Sequence, residues 1–177
     1  MMKPAFHTQR FQGHGLTITG DVGGDPDHQP VLLLHGGGQT RHSWSLTGER
    51  LARNGWEAIA IDTRGHGDSD WGAGPDDYEM DSLVADFEAI VSDIGVSPVV
   101  IGASMGGMTA IVAEGENNGL TRALVLVDVT PSVETKGIER IAAFMRSGIH
   151  GFESLEDVAQ AIAEYNPHRK RTVNVDG

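Results

Sequence analysis

The 177-residue chain contains no cysteine, which excludes disulfides, thiol catalysis and cysteine-ligated zinc or iron–sulfur centres. Basic residues are scarce: 13 Lys and Arg stand against 25 Asp and Glu, a formal net charge of −12. Nucleic acid and anionic membrane both require a basic face, so the balance argues against either as a partner. No apolar stretch approaches the roughly 20 residues needed to span a bilayer. The start, Met1-Met2-Lys3-Pro4-Ala5-Phe6-His7, lacks the apolar run of a signal peptide. The expectation is a cytoplasmic protein. There is no internal repeat and no low-complexity tract. What remains is an ordinary globular mixture, 39% hydrophobic and 21% charged, long enough for one domain with a small appendage.

Short β-rich apolar runs alternate with longer helical patterns, the signature of a mostly parallel α/β sheet flanked by helices. Leu16–Thr19 reads as half of an early antiparallel hairpin entered from the Phe6–Phe11 region. Val31-Leu32-Leu33-Leu34 is continuously apolar, as a strand buried on both faces should be. A short helix is expected near Ser45–Asn54, a strand over Trp56–Ile61, and loop from Asp62 to about Glu79. Met80, Leu83, Val84, Phe87, Ile90, Val91 and Ile94 fall on one face of a helix that Gly95 ends. A strand at Val99–Ile101, a helix over Met105–Glu116 and a strand at Ala123–Val127 follow. After Pro131 two amphipathic helices are expected, near Ile138–Arg146 and Leu155–Tyr165, with Ser154 and Asp157 spaced as a capping box. The basic cluster His168-Arg169-Lys170-Arg171 reads as solvated surface.

The sharpest chemical signal is Gly102-Ala103-Ser104-Met105-Gly106-Gly107, set between a strand and a helix as a nucleophile elbow requires. A serine on so tight a turn needs neighbours without bulky side chains two positions either side. The turn presents Ser104 Oγ above the sheet, and the following helix aims its unsatisfied N–H groups at the reacting centre. The Met105 N–H is then one candidate donor to an oxyanion. A second glycine-rich turn, His35-Gly36-Gly37-Gly38-Gln39, follows a buried strand about seventy residues earlier, and its Gly37 N–H is the natural second donor. A phosphate loop is disfavoured because Gln39-Thr40 stands where a lysine is needed, and the dinucleotide fingerprint is absent.

With these two motifs and Asp62-Thr63-Arg64-Gly65-His66-Gly67-Asp68-Ser69, the chain resembles the α/β-hydrolase family, in its esterase, perhydrolase and epoxide-hydrolase-like branch. The resemblance spans roughly residues 10–177. It implies a core over 1–130, with about six of the family's eight strands, and the beginning of a helical cap over 131–177. It also implies that Asp62, Arg64 and His66 are structural, bracing the elbow and the pocket floor. A serine at the elbow, rather than an aspartate, implies attack on a carbonyl of a small ester-like or activated substrate. No metal or organic cofactor is implied. Gln39, Arg41, His42 and Trp44 are expected to line the pocket.

The family's order places an acid and then a histidine after the serine. Asp128, directly after the strand Ala123–Val127, is either that acid or a support for its turn. The only histidines after Ser104 are His150 and His168, both in the cap region and neither after a strand. With Ala123–Val127 left as an apolar sheet edge, the expectation is the N-terminal part of a longer enzyme. The competing reading is a non-catalytic member of the fold that binds a small ligand.

Overall fold

The computed structural model describes residues 5–129 and 135–167. His168 and the basic cluster that follows lie outside the described residues. Two compact units divide between Pro131 and Ser132. Among the described residues no helix is long and apolar enough to cross a membrane.

The first unit is built on one six-stranded sheet. Its strands are β1 (Phe6–Gln12), β2 (Thr17–Gly23), β3 (Pro30–Leu34), β4 (Glu57–Ile61), β5 (Val99–Ala103) and β6 (Ala123–Val127), in the order β1-β2-β4-β3-β5-β6. β4, β3, β5 and β6 run parallel, while the β1–β2 hairpin joins antiparallel along β4. This is the α/β architecture that the alternating pattern predicts. Three helices complete the unit: α1 (Ser45–Arg53), α2 (Met80–Ile94) and α3 (Met105–Glu116).

β3 lies at the centre and all five of its residues are buried. Because successive side chains point to opposite faces, Leu32 and Leu34 join Ile59, Ile61 and Ile18 against α2 and α3, where Phe87, Ile90 and Ala110 meet them. Val31 and Leu33 turn to the other face, with Ala60, Trp44, Leu51 and Trp56. The apolar stripe of α2 is buried as its spacing requires, and Gly95 closes the helix in the left-handed region at φ 78°. Within the expected loop 62–79 the structure adds a short 3-10 turn at Pro75–Tyr78. Pro75 opens it with its φ already set for a turn. β6 is an edge among the described residues, with Val125 46% exposed and Leu126 and Val127 40% exposed.

One polar residue breaks the α2 stripe. Asp86 lies on the buried face and receives the Arg64 guanidinium in a two-pronged pair, Nε to Oδ2 at 2.6 Å and Nη2 to Oδ1 at 2.7 Å. The same carboxylate accepts the His14 N–H at 2.8 Å. A helix, the hairpin turn and the loop after β4 are thus fastened at one buried point.

The second unit holds α4 (Thr135–Ser147) and α5 (Leu155–Tyr165). Phe144 stacks on Tyr165 at 4.3 Å, and Arg140 lies over the same ring at 5.1 Å. Ser154 caps α5 by accepting the Asp157 N–H at 3.1 Å. The Asp157 carboxylate accepts the Ser154 hydroxyl at 2.7 Å, rather than the backbone N–H of a full capping box.

Asp86→Ala should strand the buried Arg64 charge and lower stability by about 3–5 kcal/mol in urea denaturation. A loss below about 1 kcal/mol would show that the pair is not holding the three elements.

Candidate active site

β5 ends at Ala103, and α3 begins two residues later. Ser104 makes the connection with φ 44° and ψ −111°, a conformation that L-residues occupy only when their surroundings enforce it. The enforcement is visible on both sides. The Ser104 N–H donates to the Val127 carbonyl of β6 at 3.0 Å, and its own carbonyl accepts the Met108 N–H at 2.9 Å. A Cβ on Gly102 would lie 2.6 Å from Gly107 Cα, and one on Gly106 would lie 2.5 Å from Leu34 Cβ. Glycine lets α3 start against β5 and β3, which no other residue at these positions allows. Ser104 itself is exposed.

The turn after β3 lies alongside. A Cβ on Gly36 would be 3.5 Å from Ser104 Cβ. The four N–H groups of Gly36–Gln39 can be followed one by one. Gly36 donates to Gln39 Oε1 at 3.1 Å, Gln39 donates to the Gly36 carbonyl at 3.1 Å, and Gly38 donates to His66 Nε2 at 3.1 Å. Gly37 alone of the four has no acceptor among the described residues. Met105, at the first position of α3, contributes an N–H of the kind that a helix start leaves outside the ladder.

Two histidines hold the turn from beneath. His35 is fully buried; its Nε2 accepts the Thr63 N–H at 3.1 Å, so Nδ1 carries the proton and donates to the Gly36 carbonyl at 2.8 Å. Burial pushes the His35 pKa down, the nearby His66 adds to this, and together they outweigh the Gly36 bond and Asp62, so the ring stays neutral. His66, tilted against it with centroids 4.9 Å apart, accepts from Gly38 in the same way.

Asp62, also fully buried, ties this turn to the loop that carries His66. It accepts the Arg41 N–H at 2.7 Å, the Asp68 N–H at 3.0 Å and the Arg41 guanidinium. Burial works to raise its pKa, but the two N–H bonds and Arg41 prevail and hold the carboxyl below its ordinary value. Arg41 also pairs with Asp68 at 2.8 Å and with Asp21 at 3.0 Å, the latter an ion pair without hydrogen-bond alignment.

Of the residues expected to line the pocket, Gln39 and Arg41 carry two of these contacts. Gln39 folds back onto its own turn, and Arg41 is committed to three carboxylates. Trp44 and Arg41 border a cavity of about 280 Å³ beside α1, whose lining does not include Ser104. His42 stands exposed, 3.9 Å from Asp21. The braces Gln39 and Asp86 escaped the sequence reading; an acid on the apolar stripe of α2 was the one available signal.

Asp128 follows β6, and the β5–β6 register pairs Ala103 with Val127, so Asp128 comes level with Ser104 on the neighbouring strand. Ser104 and Asp128 are also the two non-glycine residues with positive φ among the described residues, Asp128 at 52°. His150 lies exposed in the second unit, after α4, and His168 lies outside the described residues. Among the described residues no group of three or more His, Asp or Glu could hold a metal ion.

A family model for the alpha/beta hydrolase fold matches residues 29–172. An esterase of Mycobacterium tuberculosis is 31% identical over 145 residues, which cover 78% of this chain and 47% of that protein. Epoxide hydrolase 4 of Mus musculus is 32% identical over 146 residues, covering 81% of this chain and 40% of the relative. The crystal structure of an alpha/beta hydrolase from Novosphingobium aromaticivorans superposes with a TM-score of 0.80 at 30% identity, over 90% of this chain and 56% of its own. The chain spans less than half the length of these two curated relatives.

The depressed Asp62 carboxyl has a consequence in acid. Its stabilisation is complete above its unfolded-state value, near pH 4, and is lost as pH falls through the lower folded value. Asp62→Asn should therefore be less stable than wild type at neutral pH and lose less on acidification below about pH 4. Equal slopes of unfolding free energy against pH would refute this role.

Proposed function

The chain belongs to the α/β-hydrolase fold family, and from that premise we propose that it acts as a serine hydrolase on a small ester-like or activated carbonyl substrate. The observation that carries the reading is Ser104, held at positive φ between β5 and α3, with the unspent Gly37 N–H in the turn beside it. A serine so presented suits attack on a carbonyl carbon. As the C–O π bond opens, its electron pair moves onto oxygen, and the N–H groups of Gly37 and Met105 receive the charge. The hydroxyl proton passes to a base, which returns it to the leaving group as the tetrahedral species collapses to an acyl-enzyme. Water then repeats the sequence and frees the acid.

Asp128 is the acid in this reading, because it shares with Ser104 both a register level and a backbone constraint. Its task is to orient and charge-balance the imidazole that serves as base. His35 and His66 are excluded from that task, since each already spends one ring nitrogen on the turn and the other on the loop after β4. The segment over 131–177, with α4 and α5, is read as the beginning of a helical cap. The acidic composition fits a soluble, cytoplasmic enzyme that takes a small molecule rather than nucleic acid.

A second reading has one observation in its favour: among the described residues none donates to or accepts from Ser104 Oγ. It makes the chain a ligand-binding member of the fold. Covalent chemistry separates the two. On the natural full-length protein, a fluorophosphonate probe should label Ser104, and Ser104→Ala should abolish labelling and cut ester turnover by at least about a thousandfold. Labelling that survives Ser104→Ala rejects the nucleophile; a wild-type protein that binds an ester without labelling or consuming it supports the binding reading.

A further inference from the structure

The loop 62–69 was expected to brace the site in general terms. The structure gives His66 a narrower role. Its Nε2 accepts the Gly38 N–H at 3.1 Å, so the ring's proton is on Nδ1. Nδ1 then donates to the Arg64 carbonyl at 3.0 Å or to Thr63 Oγ1 at 3.2 Å. Thr63 Oγ1 in turn lies 3.3 Å from His35 Nε2, and His35 Nδ1 donates to the Gly36 carbonyl. With both imidazoles neutral, each of these contacts has a donor and an acceptor. The two ends of the chain of bonds grip the same turn, at Gly36 and at Gly38.

We propose that neutral His66 is a positioning residue that fixes the Gly36–Gln39 turn with the Gly37 N–H left for the substrate oxygen, and that protonation at Nε2 uncouples it. The proposal rests on the serine-hydrolase reading for its catalytic meaning but not for its structural content. A proton on Nε2 sets a donor against the Gly38 donor, so the contact is lost and repelled rather than weakened. Gly38 lies at φ 73° and is exposed, so little else holds that corner. The titratable and charged groups around the ring are His35 from the end of β3 and, on its own loop, Asp62, Arg64 and Asp68; the turn itself carries none. Asp62, Arg64 and Asp68 are each engaged by other partners.

On the natural full-length chain, histidine-ring ¹H–¹⁵N spectra should show His66 as the Nδ1–H form at the alkaline end. On acidification the Gly37 and Gly38 amides should shift with the same midpoint as the His66 ring. That step should vanish in His66→Gln, whose amide oxygen can accept from Gly38 without titrating. In parallel, His66→Phe should slow fluorophosphonate labelling of Ser104 by about tenfold to a hundredfold, a cost typical of a reacting group set slightly out of place. His66→Gln should restore most of the rate. Gly38 amides that ignore the ring, or a step that persists in His66→Gln, overturn the proposal, as does His66→Phe labelling at the wild-type rate. If the wild-type chain does not label at all, the serine-hydrolase reading fails while the amide titration still decides the role of His66. If His66→Phe does not fold, the His66→Gln arm decides alone.

Discussion

The site depends on a carboxylate that never meets it. Asp62 is fully buried and receives hydrogen bonds from Arg41, beyond the Gly36–Gln39 turn, and from Asp68, in the loop after β4. Its backbone carbonyl also accepts the Ser69 hydroxyl at 2.7 Å. Two loops that leave neighbouring strands are thereby held to one point. A buried charge is tolerated only when its lone pairs are filled, and filling them fixes both loops. Gly67 is part of the arrangement: at φ 51° it passes so close that a Cβ would lie 2.1 Å from the Asp62 carboxylate.

The strain at Ser104 is sustained by the sheet and α3 rather than by the serine. β6 accepts its N–H, α3 donates the Met108 N–H to its carbonyl, and the glycines at 102, 106 and 107 let three backbones approach within contact. A conformation costing on the order of 1–3 kcal/mol persists because relaxing it would break the β5–β6 pairing or the start of α3. The same logic extends one strand over, where Asp128 holds positive φ directly after β6. Two strained residues at one level of adjacent strands mark that sheet end as the place where backbone geometry is set for something other than stability.

Most of the fold was legible in the sequence because it rests on local periodicity. The stripe of α2 and the apolar runs of β3 and β6 carry their own addresses, and the predicted bounds of α2, α3, β6 and α5 coincide with the observed ones. The elbow and the glycine turn were legible for a related reason: their backbone geometry demands particular residue types in a row. Residues whose meaning comes from distant partners were not legible. Asp86 is read through Arg64, 22 positions away, and His14, 72 positions away. The Gln39 brace was not legible because nothing in its neighbours says that its side chain turns back to Gly36. His66 was assigned to bracing without the Gly38 contact that gives the bracing its direction.

The electrostatics of the proposed chemistry follow from the same accounting. The chain carries a net charge of −12, and carbonyl attack adds negative charge to it. Arg41 and Arg64 are the buried cations of the first unit's described loops, and each is already neutralised, Arg41 by three aspartates and Arg64 by Asp86. Neither can be lent to an oxyanion without stranding a buried carboxylate. In the proposed reaction the stabilisation falls to fixed dipoles: the Gly37 N–H, the Met105 N–H and the positive end of α3. Dipoles stabilise charge only when they do not have to reorient as it forms. The rigidity of the Gly36–Gln39 turn is thus a requirement of the proposed reaction, and the His35 and His66 rings and the Gln39 side chain tether it.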